Sequence, residues 1–219
     1  MSAIYFSLIE NENLAERELR IILTELGLNP AQAAKITKLP NGKPKLETEH
    51  HTSIGFSRSN ARFEGKKIVG IACVEDRDIG IDIELWSRQP ADEAFLETVA
   101  SREDTKILTA LGRNGYDAGL ALWVIKEAAL KCTGDVMLDP RSLSVEITRD
   151  GLFRVSPSKQ ARAPHPEIDV RLMLVKHRRM SQSDLLLGLA LARQTHVING
   201  KLRVVKTLSS GWEISDFRM

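Results

Sequence analysis

Residues 80–86, Gly-Ile-Asp-Ile-Glu-Leu-Trp, alternate apolar side chains with carboxylates. In an extended strand, residues two apart share a face. The spacing therefore predicts a strand with Ile81, Ile83 and Leu85 on one side and Asp82 and Glu84 on the other. The apolar side ties this strand to a core. Two carboxylates on one face repel each other and raise the pKa of at least one, unless a cation sits between them. Two readings fit such a face. One is the solvent side of an edge strand. The other is a seat for a hard cation such as Mg²⁺, which is held by one or two carboxylates together with substrate phosphates.

The neighbouring patterns set this strand in an α+β chain. "IYFSLI" near the start predicts a strand. "NLAERELRIILTELGL" carries Leu14, Leu19, Ile22, Leu23 and Leu26 at helical spacing, with Asn13 and Glu16 as a capping box and Gly27 as the stop. "NPAQAAKITKL" predicts a second short helix, and "PNGKPKL" a turn. "HTSIGFSRS", "KKIVGIACVE" and "DIGIDIELW" predict an antiparallel meander, with "NARFEG" as a loop. "ADEAFLETVASREDTKILTALG" predicts one helix, and "GYDAGLALWVIKEAALKCTG" a longer one closed by Gly134. "SLSVEITRDGLFRVS" predicts a hairpin turning at Asp150-Gly151, followed by strands in "EIDVRLMLVKHRR" and "SDLLLGLALAR". The last stretch, "KLRVVKTLSSGWEISDFRM", reads as a hairpin or a partly ordered tail. The order suggests two units in series, each a helix on a three-stranded, largely antiparallel sheet: an N-terminal half at 1–80, a C-terminal half at 81–199 and a tail at 200–219.

Three further groupings carry polar chemistry. Trp123, Glu127 and Lys131 stand at i, i+4 and i+8 of the long helix and so share one face. Lys43 sits on a turn between Gly42 and Pro44, where a fixed ammonium suits a phosphate and equally a surface turn. Ser57, Arg58 and Ser59 offer two hydroxyls and a guanidinium fork, which suit a phosphate or an exposed loop.

Composition narrows the classes. A net charge of +2, with 42% hydrophobic and 27% charged residues, does not call for a nucleic-acid partner. Cys73 and Cys132 lie in apolar contexts without metal-site spacing, which predicts buried, reduced thiols and no zinc. No basic leader, cleavage signal or spanning apolar run is visible, so the expected location is the cytosol with no membrane partner.

Taken in order, G-K-P, the S-R-S strand end, G-I-D-I-E and W-x-x-K-E-A-x-x-K resemble the surfactin-synthetase-activating type of 4′-phosphopantetheinyl transferase, in the holo-acyl-carrier-protein synthase superfamily. The likeness runs from about residue 14 to about residue 155. It implies two pseudo-symmetric α/β halves with the active site in the cleft between them. It implies transfer of the phosphopantetheine arm of coenzyme A to a serine of an apo acyl or peptidyl carrier protein, with Mg²⁺ as cofactor and release of 3′,5′-ADP by a monomer. By the same likeness, Asp82, Glu84 and Glu127 are the metal carboxylates and Glu127 is also the candidate base. Lys131 contacts the phosphates, and Lys43, Ser57 and Arg58 belong to the coenzyme site. Glu103 falls near a further family glutamate, and Arg17 and Arg20 are loose candidates for a basic first segment. The chain departs from the family at Arg58, where relatives carry histidine. That departure keeps a non-catalytic coenzyme A binder as an alternative, beside a Mg²⁺-dependent nucleotide phosphohydrolase. The basic run Lys176 to Arg179 is a candidate surface for an acidic carrier.

Overall fold

The structure is a computed structural model that describes residues 3–10, 12–28, 35–47, 54–63, 65–86, 93–112, 117–159, 161, 165–177, 184–192, 203–208 and 212–216. The chain opens with β1 (Ala3–Ile9) and α1 (Ala15–Glu25). It continues through β2 (Lys35–Lys38), β3 (Pro44–Glu47), β4 (Ile54–Phe63), β5 (Lys66–Glu75) and β6 (Ile79–Leu85). Then come α2 (Glu93–Val99), α3 (Thr105–Gly112) and α4 (Ala118–Thr133). β7 (Leu143–Ile147), β8 (Phe153–Pro157), β9 (Ile168–His177), β10 (Leu185–Ala192), β11 (Arg203–Leu208) and β12 (Trp212–Asp216) complete it. No helix among the described residues is long and apolar enough to cross a membrane.

The strands form two sheets of six among the described residues, against the three strands each that the sequence suggested. One has the order β11-β1-β5-β4-β3-β2. The other has β6-β10-β9-β8-β7, with β12 beside β9. Every pairing is antiparallel except that of β1 with β11. The protein is thus a two-sheet α+β fold, as expected, with more strands per sheet.

Period-2 alternation stacks the sheets. On β1, Ile4, Phe6 and Leu8 enter the core between the sheets, while Ile9 and Tyr5 face α1. On β5, Ile68, Ala72 and Val74 take the first side, and Val69, Ile71 and Cys73 the second. From the other sheet, Ile79, Ile81, Ile83, Leu185, Leu187 and Leu189 fill the same inter-sheet layer. The outer face of that sheet, with Leu186, Ala190, Val170 and Leu172, packs under α4 and its neighbours α2 and α3. The layer order is α1, sheet, sheet, α4. Burial of both thiols agrees with expectation: Cys73 and Cys132 are unpaired and buried, and burial pushes each up to about 12.

Five local expectations are corrected. β6 does not continue a meander from β5, because β5 already pairs β1 on one edge and β4 on the other; β6 instead pairs β10. The stretch "KITK", expected as helix, is β2, with Ile36 opposite Leu46 on β3. β-branched Ile36 and Thr37 favour that pleated setting. The single helix expected over residues 91–112 breaks at Ser101, whose extended backbone starts a new turn through a capping box with Asp104. α1 begins from a 3-10 turn at Glu12–Leu14, with Leu14 as N-cap and no side-chain cap bond, rather than from an Asn13 capping box. In the stretch read as a tail, β11 joins β1 and β12 joins β9, so these two strands serve different sheets and do not form a hairpin.

Candidate active site

β6 is the edge strand of its sheet, and α4 lies across it unusually closely. A Cβ on Gly80 would stand 1.9 Å from the Ala128 carbonyl oxygen, and one on Gly188, opposite Asp82 on β10, 2.9 Å from the Val124 carbonyl oxygen. Glycine is what these two crossings require. This contact brings the polar face of β6 against the Trp123–Glu127–Lys131 face of α4. Asp117 caps the helix start by accepting from the Leu120 N–H at 2.9 Å, and Gly134, at φ +85°, closes its end.

The outer edge of β6 is protected from the other sheet. The Ile81 N–H donates to Ser57 Oγ at 3.0 Å and the Ile83 N–H to Ser59 Oγ at 3.4 Å. Both serines are buried. Ser59 Oγ in turn donates to Asp82 Oδ1 at 2.9 Å. Lys131 Nζ reaches the same Asp82 oxygen at 2.5 Å and Ser59 Oγ at 3.2 Å. The second oxygen of Asp82, Oδ2, is buried and has no hydrogen-bond partner. A buried carboxylate oxygen without a donor is costly and calls for an explanation.

All three candidate carboxylates are held above the usual carboxylate range. For Asp82, burial dominates and outweighs the opposing Lys131 ammonium and the Ser59 bond. For Glu84, burial comes first and the Asp82 charge adds to it, while the nearby Trp123 indole N–H and the Lys131 ammonium pull the other way. For Glu127, burial again leads, Lys131 opposes it and Asp82 reinforces it. The three acids therefore feel one another through a partly closed, low-dielectric space.

The structure brings Asp82, Glu84, Glu127 and Lys131 into one group. It does not bring the remaining candidates there. The strand alternation that turns Ser57 and Ser59 toward β6 turns Arg58 to the opposite face of β4, where it is exposed. Ser57 is engaged by the β6 backbone. Lys43 is buried, with its ammonium paired to Asp78 and donating to the Cys132 carbonyl at 2.6 Å. Glu103 lies elsewhere, accepting from the Lys159 N–H at 3.2 Å. Arg17 and Arg20 are on the exposed side of α1, Arg20 paired with Glu16 at 2.9 Å. Of the basic run, Lys176 pairs with Asp184 at 3.8 Å, and residues 178 and 179 lie outside the described residues.

Three contributors went unassigned in the sequence. Trp123 lies near Glu84 and favours its charged form, and its place one turn before Glu127 was the available signal. Ser59 supports Asp82. Lys126 is wholly buried on the far side of α4, paired with Asp104 at 2.7 Å and donating to the carbonyls of Val99, Pro140 and Leu143. Its i±4 relation to Leu122 and Leu130 marked it as a core position.

Among the described residues, no group of three or more His, Cys, Asp or Glu side chains is arranged to hold a metal ion by itself. The donor chemistry nevertheless fits a hard cation: three carboxylates with oxygen ligands only, one of them presenting an orphaned oxygen. A cation there would offset the mutual repulsion of the acids, with the remaining coordination left to a substrate.

No curated protein matches the chain. Residues 78–182 match the family model of the 4′-phosphopantetheinyl transferase superfamily, a span that starts at the partner of Lys43 and takes in β6, α4 and both sides of the acidic group. The match covers 105 of the chain's 219 residues and agrees with the superfamily that the sequence motifs resemble.

Proposed function

We propose that this chain transfers the 4′-phosphopantetheine arm of coenzyme A to a serine of an apo acyl or peptidyl carrier protein, releasing 3′,5′-ADP. Phosphopantetheine transfer is the activity of the superfamily matched at residues 78–182. The single observation that supports the finer reading is the Asp82 group: a buried carboxylate, gripped at one oxygen by Lys131 and Ser59 and bare at the other, next to two acids with raised pKa.

The chemistry follows from these residues. Phosphoryl transfer depends on in-line positioning and charge neutralisation more than on covalent help. Asp82 and Glu84, with Glu127, would hold Mg²⁺, which when bound supplies positive charge to the diphosphate of coenzyme A. Lys131, 24% exposed, supplies a second positive charge at the mouth of the same site. The carrier serine oxygen forms the new bond to the phosphorus that bears the pantetheine. The bond from that phosphorus to the bridging oxygen of 3′,5′-ADP breaks, and the bridging oxygen leaves with the electron pair. Glu127 takes the serine proton. Its raised pKa brings a carboxylate nearer to neutral pH, where a general base works best. Trp123 favours the charged form of Glu84, and Ser59 keeps Asp82 in place.

The test is direct. The protein is incubated with coenzyme A, Mg²⁺ and a panel of apo carrier proteins from fatty-acid, polyketide and nonribosomal-peptide systems, and the carriers are weighed. The expected result is a gain of one phosphopantetheine on at least one carrier, lost when Mg²⁺ is chelated. No gain on any carrier would sink the proposal. Coenzyme A binding without transfer would leave a binder, and phosphate release from nucleotides without a carrier would leave a hydrolase.

A further inference from the structure

Lys43 is the residue whose surroundings differ most from an exposed phosphate ligand. Its side chain is 7% exposed. Its ammonium carries three protons. One goes to the Cys132 carbonyl at 2.6 Å and another to the Asp78 carboxylate. These two partners belong to different elements. Cys132 follows Lys131 directly at the end of α4. Asp78 immediately precedes β6, the strand that carries Asp82 and Glu84.

The turn bearing Lys43 is fixed in its own right. Gly42, at φ +85°, donates its N–H to the Leu39 carbonyl at 2.8 Å, and the Lys43 carbonyl accepts from the Leu39 N–H at 2.9 Å. Asn41 Oδ1 accepts from the Lys43 N–H at 3.2 Å. The same Asn41 lies against the helix end: a Cβ on Gly134 would stand 2.3 Å from its Nδ2. Pro44 then leads directly into β3. The last carbonyls of a helix lack partners within the helix, and a cation there also opposes the helix dipole. Lys43 supplies that cation from a distant part of the chain.

We propose that Lys43 is a positioning residue: it clamps the start of β6 to the end of α4 and so sets the spacing between the Asp82–Glu84 carboxylates and the Glu127–Lys131 turn. This rests on the transferase reading of the same site. It differs from a role in gripping the nucleotide, and the two roles separate by experiment.

Lys43→Met keeps the aliphatic stem and removes the clamp, Lys43→Arg keeps a cation, and Asp78→Asn removes the charge on one jaw only. Mn²⁺ affinity is measured on the coenzyme-free protein by electron paramagnetic resonance. Steady-state kinetics on a modifiable carrier give kcat and the KM for coenzyme A. Binding of coenzyme A and its 3′-dephospho form is compared by calorimetry. Under the proposal, Lys43→Met weakens Mn²⁺ about tenfold. It lowers kcat about tenfold or more. The KM for coenzyme A and its preference over the dephospho form stay within about twofold. Asp78→Asn moves the same quantities in the same direction by less, and Lys43→Arg restores part of the Mn²⁺ affinity. Unchanged Mn²⁺ affinity in both Lys43→Met and Asp78→Asn overturns the proposal. So does a raised KM with loss of the 3′-phosphate preference, which would return Lys43 to the nucleotide. If the wild type modifies no carrier but its Mn²⁺ affinity still falls on Lys43→Met, the transferase reading fails and the clamp stands.

Discussion

α4 carries two lysine–aspartate pairs on opposite faces, and they differ in completeness. Lys126 and Asp104 are both fully buried. Lys126 has four acceptors within 3.0 Å, and Asp104 also accepts from the Ser101 N–H and hydroxyl and from the Val145 N–H. Every charge there is answered, so the pair fastens α4 to the Ser101 turn and to β7. On the other face, Lys131 is partly exposed, and Asp82 keeps one oxygen without a donor. The same ion-pair chemistry thus serves structure where it is saturated and leaves a capacity to bind where it is not.

The comparison breaks most visibly if the saturated pair is cut. Asp104→Ala leaves the Lys126 ammonium buried and uncompensated and strips three further hydrogen bonds. It should cost roughly 3–5 kcal/mol. At about 2–4 °C per kcal/mol for a chain of this size, thermal unfolding should fall by roughly 6–20 °C. A fall of only a degree or two would mean that the buried pair is not what secures α4. Asp82→Asn is the counterpart on the open face. It keeps the shape and the Ser59 contact, so unfolding should shift little, whereas transfer should drop by about 10²–10³-fold. A variant that keeps full activity would remove Asp82 from the chemistry.

Gly80 tests the distance between the two elements rather than their charges. Gly80→Ala drives a methyl into the Ala128 carbonyl, which is backbone and cannot swing aside. The expected cost is roughly 3 kcal/mol, with kcat falling because Asp82 and Glu127 are pushed apart. Stability and activity near wild type would show that α4 can slide on β6 at no cost.

These predictions also mark what the sequence made legible. Periodicity put Asp82 with Glu84 on one strand face and Glu127 with Lys131 on one helix face, the resemblance of their motifs joined the two pairs, and the structure gathers those four. Arg58 was readable too: in a strand, two serines that share a face exclude the residue between them. The placement of β6 was not readable, because adjacent segments that both look like strands do not reveal which edges are already taken. Nor were the partners of Lys43 and Lys126. Lys43 meets Asp78 and Cys132, and Lys126 meets Asp104 and Leu143, through tertiary contacts that leave no periodic trace.

The smallest effect is expected at Glu127, and its sign is the informative part. Burial, reinforced by Asp82, raises this carboxyl above its usual value, with Lys131 only partly opposing. A raised acid is harder to ionise in the folded protein than in the unfolded chain. Its contribution to stability is therefore whole below the ordinary carboxylate pKa of about 4 and is lost as pH rises through the folded value. Glu127→Gln cannot ionise. In metal-free buffer it should match the wild type at low pH and exceed it at neutral pH, even as transfer collapses. Because the side chain is partly open to solvent, screening holds the gain below about 1 kcal/mol, or about 2–4 °C in thermal unfolding. Adding millimolar Mg²⁺ should raise the wild type and not the variant, since only a ligand that favours the folded state shifts the midpoint. A variant less stable than wild type at neutral pH, metal-free, would mean that the three carboxylates do not crowd one another, and that the open face of α4 is as settled as the closed one.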